Sequence, residues 1–220
     1  MRITLPSGTP AELARPASGA EPTAGLVVVP DIGGLRPLFD DMAARLATEQ
    51  GWAVCVFELW PGREDLPLPE RLGAGGTLDD ARVLGDAVAA ADATGCDRVT
   101  LIGFCMGGMY ALKAARTGRF ARVASFYGMA RVPEAWRSPT QGEPLEAVSS
   151  PGAAPVLAVA GTADQWLPPD DVDALEAAGA EVVRYEGADH GFVHDPSRPT
   201  HRPDDAADAW SRVIAHLRAA

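Results

Sequence analysis

Short, continuously apolar runs punctuate the chain at residues 26–29, 52–57, 99–104, 123–128, 155–161 and 182–186. Runs of this length that are apolar throughout, rather than alternating, predict strands buried on both faces, as in a parallel sheet. Between them the apolar positions change to helical spacing, in residues 38–46, 77–92, the stretch after Met106, and 204–218. Thr77 stands at an N-cap position with acids behind it, and the last helix carries acids first and bases last, as its dipole favours. Strand and helix alternate from residue 26 onward, which predicts an α/β fold with a mostly parallel central sheet and helices on both faces.

Before that alternation, residues 2–5 and 12–15 flank the turn-rich Pro6-Ser-Gly-Thr-Pro10 and predict a hairpin. Residues 17–25, small and polar, read as a surface connection because what precedes them is too short to hold a core. Residues 1–220 are therefore expected to form a single domain. Residues 129–154, rich in Pro, Ser and Gly and containing Trp136, form a long excursion expected to shape the mouth of a pocket.

Pattern and chemistry meet at the end of the run 99–104, which passes through Gly103-Phe-Cys105-Met-Gly107-Gly108 straight into a helical pattern. A side chain on so tight a turn is pushed out beyond the sheet with helix amides ahead of it, and small neighbours let the backbone double back. Asp164 follows the run 155–161 and His190 follows 182–186, so a nucleophile, an acid and a histidine succeed one another, each just past a strand. Asp164 also reads as an N-cap-like residue ahead of a helix opening near Pro168-Pro169. Asp189 competes as the acid, although its place beside His190 makes the inner ring nitrogen hard to reach. The proline-rich loop after 52–57 lies at the sheet edge where binding loops gather, which makes Trp60 and Arg63 candidate substrate contacts. His201 and His216 read as surface residues.

Composition narrows the function classes. At 220 residues, 47% hydrophobic and 22% charged, the chain can bury a sizeable core. A net charge of -11 lacks the basic stripe of a nucleic-acid binder. Three cysteines, Cys55, Cys96 and Cys105, suggest neither a disulfide framework nor a zinc site, and a reduced, cytoplasmic setting fits them best. Cys55, inside a strand pattern, reads as a packed core thiol, and Cys96 as an exposed or half-exposed one. The first residues lack the apolar run of a signal peptide, and no segment approaches the roughly 18 apolar residues of a membrane span. No metal cluster, phosphate loop or dinucleotide fingerprint stands out, so no cofactor is expected. A small-molecule substrate and a monomer, with a dimer as the alternative, complete the expectation.

Gly103, Cys105, Gly107 and Gly108, with the segment from Gly161 through Asp164 to Pro168 and with Gly187, His190 and Phe192, together resemble the dienelactone hydrolase family. The resemblance implies an α/β-hydrolase fold and hydrolysis of an ester or lactone by a Cys105-His190-Asp164 triad through a thioester. It implies oxyanion-hole amides at Ile32 and Met106. It also sets Asp31 where the family often carries a glutamate that contacts the nucleophilic sulfur, while capping of the following turn is an equal reading of that residue. Gly62, next to Arg63, and His194 stand where well-studied relatives hold carboxylate-binding arginines. Tyr127 and Phe192 are further candidate substrate contacts, with Tyr127 facing either pocket or core. A cysteine amidotransferase or peptidase would want a glutamate where Phe192 stands. The alternative from another class is a catalytically idle relative that binds a small ligand or senses thiol oxidation through Cys105.

Overall fold

The apolar runs pair side by side into an eight-stranded sheet in the order β1-β2-β4-β3-β5-β6-β7-β8. The computed structural model describes residues 1–16 and 19–219, so Ala17 and Ser18 of the expected surface connection lie outside the described residues. β1 (Arg2–Thr4) and β2 (Pro10–Ala14) form the expected hairpin, with Arg2 opposite Glu12. β2 continues antiparallel onto β4 (Ala53–Phe57). The rest is parallel: β3 (Gly25–Val29), β5 (Val99–Phe104), β6 (Val123–Phe126), β7 (Val156–Gly161) and β8 (Glu181–Tyr185). Every residue of β3 to β7 is buried, which is why these runs do not alternate. The edge strand β8 alone of the parallel set is partly exposed.

Helices cover both faces. α1 (Pro37–Gln50) and, near the carboxyl end, α7 (Pro203–Arg218) bury Phe39, Met42, Leu46, Val213 and Leu217 against one face. α3 (Asp80–Ala93), α4 (Met106–Ala114) and α6 (Pro169–Ala177) bury Val83, Ala87, Met109, Leu112 and Leu175 against the other. The short α2 (Leu68–Ala74) precedes α3, and α5 (Pro144–Val148) lies within the excursion of residues 129–154. Among the described residues no helix is long and apolar enough to cross a membrane.

Two boundaries and the burial of two histidines differ from expectation. Helix α3 starts at Asp80, capped by Asp79, whose Oδ1 accepts from the amides of Ala81 (2.7 Å) and Arg82 (3.4 Å). Thr77 instead ends a one-turn 3-10 helix and turns its hydroxyl back onto the Ala74 carbonyl at 2.8 Å. β6 stops at Phe126 because Tyr127 enters the left-handed region, with φ 41°. His201 and His216 are half-buried, and His216 Nε2 lies 3.1 Å from the Val123 carbonyl beneath it.

The parallel arrangement sends the loops after β3 to β8 to one edge of the sheet, where a doubly wound fold places its site. At the centre of that edge the chain reverses from β5 into α4. A Cβ on Gly103 would run into the Gly107 carbonyl, and one on Gly107 into the carbonyls of Val29 and Pro30. Both collisions are with backbone, which has nowhere to retreat. Behind the turn, Lys113 of α4 is buried and donates to Asp80 Oδ1 at 2.8 Å, while Asp80 Oδ2 accepts from the Gly142 amide at 2.8 Å, tying α4, α3 and the excursion together. Gly107→Ala is expected to cost about 3 kcal/mol or more, from overpacking against main chain. Denaturant unfolding checks this; a loss within about 0.5 kcal/mol, the range of an ordinary surface change, would contradict it.

Candidate active site

Cys105 sits between β5 and α4 with φ 56° and ψ −119°, a conformation that non-glycine residues adopt only when their surroundings impose it. Its amide donates to the Phe126 carbonyl at 3.0 Å and its carbonyl accepts from Met109 at 3.0 Å, so both sides of the turn are pinned. The thiol, half-buried, lies ahead of the amino end of α4, where the helix dipole favours negative charge. Cys55 is buried inside β4, and burial, reinforced by the charge of Glu12, pushes its thiol up to about 12. Cys96 is half-buried and turned toward the Thr94 carbonyl.

His190 and Asp164 arrive from the ends of β8 and β7. His190 Nδ1 donates to Asp164 Oδ2 at 2.8 Å, and Asp164 Oδ1 accepts from the Trp166 amide at 2.8 Å. Asp164 is buried, and Pro168, not Asp164, occupies the N-cap of α6. Asp189 accepts from the His190 backbone amide at 2.6 Å, and its carboxylate makes no bond to the ring. The other ring nitrogen, Nε2, is buried without a hydrogen bond of regular geometry, and Cys105 is the group that acts on it electrostatically. Burial works against an imidazolium here, yet hydrogen bonding to Asp164 and Cys105, with the charges of both, outweighs it and pushes His190 up to about 10.

The residues expected around this centre divide. Ile32 lies on the loop after β3 and Met106 is the first residue of α4, and neither amide donates to another described group. Asp31 is buried and commits both carboxylate oxygens to neighbours other than Cys105. It accepts from Gly33 N (2.8 Å), from both terminal nitrogens of Arg36 (2.6 and 2.9 Å) and from His194 Nε2 (2.8 Å). Burial alone would raise its pKa, but His194 and Arg36 together hold it far below the usual carboxylate range. Burial lowers the pKa of His194, which is therefore neutral. With Nε2–H given to Asp31, its Nδ1 accepts from the Tyr127 hydroxyl at 2.5 Å. Burial keeps that phenol protonated.

Trp60, Tyr127, Phe192 and His194, all named from sequence as candidate substrate contacts, are buried. Trp60 gives its indole N–H to the Ile32 carbonyl at 2.9 Å. Arg63 is half-buried, stacked 5.2 Å over the Trp60 ring and hydrogen-bonded to Thr77 at 3.1 Å. The cavity that opens onto His190, of about 440 Å³, is lined instead by Gln165, Trp166, Arg198 and Thr200, which sequence reasoning did not single out, and by Asp189, weighed from sequence only as a competing acid. Trp166 is 44% exposed, lies 6.4 Å from the His190 ring and stacks at 5.9 Å on Trp136 of the excursion. Trp136 in turn donates to the Leu72 carbonyl at 2.8 Å. Arg198 is half-buried and its guanidinium has no carboxylate or hydrogen-bond partner among the described residues.

This sheet order, with its elbow at the end of the central strand and an acid and a histidine from the two strands that end beyond it, is that of the α/β hydrolases. Residues 10–220 match the model of the Dienelactone hydrolase family, and the chain belongs to that family of ester and lactone hydrolases. A Bradyrhizobium protein provisionally named a 2-oxo-3-(5-oxofuran-2-ylidene)propanoate lactonase is 33% identical, over 94% of this chain and 88% of its own. The carboxymethylenebutenolidase of Rhodococcus opacus is 30% identical over 86% of this chain and 78% of its own. A crystal structure of a provisionally named dienelactone hydrolase from Klebsiella pneumoniae superposes with TM-score 0.86 at 28% identity, covering 99% of this chain and 97% of that one.

Cys105→Ala removes two of the influences that raise His190. The imidazole pKa should therefore fall from about 10, an outcome that nitrogen-resolved NMR across a pH series will register. An unmoved titration would show that Cys105 and His190 are not coupled.

Proposed function

We propose that the chain hydrolyses its ester or lactone with Cys105 as nucleophile, His190 as proton carrier and Asp164 as the group that orients the imidazole. One observation carries the reading: His190 is bound to Asp164 through Nδ1 while its buried Nε2, held toward Cys105, is left without a regular hydrogen bond. With the proton on the imidazole, the sulfur attacks the carbonyl carbon as a thiolate. The amides of Ile32 and Met106 receive the oxyanion that forms. Collapse of the adduct breaks the bond to the leaving oxygen, which takes the proton from His190 Nε2 and leaves a thioester on Cys105. Neutral His190 then takes a proton from water as it adds to the thioester. The second adduct expels the thiolate and releases the acid, which restores the starting ion pair. Thiolate is the better leaving group when the alternative is a basic amine, so esters with good leaving groups and enol lactones suit this centre better than amides.

The cavity supports a narrower substrate class. Trp166, backed by Trp136, offers a flat aromatic wall beside His190, and Arg198 offers a guanidinium free for an anion. A planar unsaturated lactone bearing a carboxylate would meet both. The Bradyrhizobium relative is named for a substrate of that kind, a ylidene furanone joined to a propanoate.

Purified wild type is expected to hydrolyse p-nitrophenyl acetate and a carboxylated dienelactone, with the lactone preferred. Cys105→Ala should abolish both, and Asp164→Asn should lower kcat by about 10² to 10⁴. Full activity in Cys105→Ala would exclude the nucleophile, and labelling of Cys105 by a thiol reagent without any turnover would favour the binding or sensing reading. Arg198→Met should raise KM for the anionic lactone about tenfold and leave p-nitrophenyl acetate unchanged, a split that tests the anion contact in one set of rates.

A further inference from the structure

The loop of residues 30–35, between β3 and α1, is held through several of its backbone polar atoms. Of the amides from Ile32 to Leu35, Gly33 donates to Asp31 Oδ1 at 2.8 Å, Gly34 to the Asp31 carbonyl at 2.9 Å and Leu35 to Glu58 Oε2 at 2.8 Å. The Gly34 carbonyl accepts from Arg36 at 3.3 Å, and the Ile32 carbonyl accepts from Trp60 Nε1 at 2.9 Å and Arg71 Nη1 at 3.2 Å. Ile32 N–H is the member of this set that donates to no other described group.

The holding groups are themselves fixed, and they come from two sides. On one side Asp31 is gripped by Arg36 through two nitrogens and by His194, which Tyr127 anchors in turn. On the other, Glu58 is buried and accepts from the Trp60 amide at 2.7 Å, while Arg71 also donates to the carbonyls of Leu66 (2.8 Å) and Glu64. A buried carboxylate on each side thus closes on backbone amides, the arrangement by which a loop keeps one conformation without help from substrate. The Asp31 carboxylate meets the Gly33 amide, Arg36 and His194 at once, so its loss would release all three.

We propose that Asp31, with His194 and Arg36 behind it, and Trp60 with Arg71 opposite, are positioning residues that hold the Ile32 amide toward the carbonyl oxygen under attack, and that Asp31 does not act on the Cys105 sulfur. The inference rests on the hydrolase reading, in which Ile32 N–H receives the oxyanion. The Asp31 carbonyl, which shares its peptide plane with the Ile32 N–H, accepts from the Gly34 amide, hydrogen bonds to the Ile32 carbonyl fix the next peptide, and the Ile32 N–H is left with a single direction. An amide that must rotate into place during the reaction forfeits part of what a preset donor contributes, and a misplacement of about 1 Å can cost about 10²-fold.

Alkylation of a thiolate by iodoacetamide builds no oxyanion, so it reports on the sulfur and is blind to the loop. Asp31→Ala removes the carboxylate that closes the turn and holds Arg36 and His194; Trp60→Phe removes only the indole donor and tests the opposite side if the first variant fails to fold. Each is expected to lower kcat on p-nitrophenyl acetate about tenfold or more with KM little changed. The pH profile for alkylation of Cys105 should stay that of the wild type. Retention of wild-type kcat in both folded variants would overturn the inference, as would an alkylation profile in Asp31→Ala that moves together with kcat, since Asp31 would then be acting at sulfur. A wild type with no Cys105-dependent hydrolysis would overturn the hydrolase reading itself, an outcome distinct from an active wild type whose variants are unimpaired.

Discussion

A side chain can stand at the tip of the turn between β5 and α4 only because two glycines give way to main chain on either side of it. Gly103 makes room for the Gly107 carbonyl, and Gly107 for the carbonyls that end β3. The second of these contacts matters beyond the turn itself, because the chain that crowds Gly107 leads directly into Asp31 and Ile32. The same close approach that forces Cys105 into a left-handed conformation therefore sets the neighbouring loop at a fixed distance from it. Strain at the nucleophile and registration of the loop have one cause, which is why the elbow and the sheet centre cannot be varied separately.

Around that constraint several buried charges meet a charged or hydrogen-bonding side chain. Lys113 meets Asp80 behind α4, Asp31 meets Arg36 and His194 beside β3, and Asp164 meets His190 at the outer edge. Each pair joins elements distant in sequence, and in each a lone partner would be left charged and unsolvated. Asp164 with His190 and Asp31 with His194 have the same chemical composition and opposite outcomes. Burial wins at His194, which stays neutral between two hydrogen bonds, whereas the nearby acid and thiol win at His190 and hold a proton there. On the proposed mechanism, the neutral imidazole of His194 suits a fixed support and the protonated one of His190 suits a group that passes a proton back and forth.

Much of this was legible in the chain itself. Continuous apolar runs gave away the buried parallel strands, because a strand covered on both faces has no polar side to show. Cys105, Asp164 and His190 were visible because each follows its strand immediately and the requirement on it is local. Direction of a side chain is not local, and there the pattern was silent. Trp60, Tyr127, Phe192 and His194 do lie at the edge of the sheet that carries the site, yet they turn inward because distant partners such as Ile32 and Asp31 accept or donate to them. Trp166, Arg198 and Arg71 carry no motif, and their importance arises from contacts across long stretches of chain. The helix start at Asp80 was missed for a smaller reason: Thr77 and Asp79 are both good caps, and the hydroxyl of Thr77 was already committed to the turn before it.

Helix α2 touches two different parts of the centre with consecutive residues. Arg71 reaches inward to the Ile32 carbonyl, and Leu72 offers its own carbonyl to Trp136, on which Trp166 rests. The aromatic wall beside His190 and the loop that carries Ile32 are thus fastened to one short, partly exposed helix. On the proposed mechanism recognition and rate then share a hinge pin: a change that shifts α2 to admit a bulkier acyl group also tilts the peptide at Ile32, so a wider pocket in this scaffold comes with a slower one unless both ends of that helix are adjusted together.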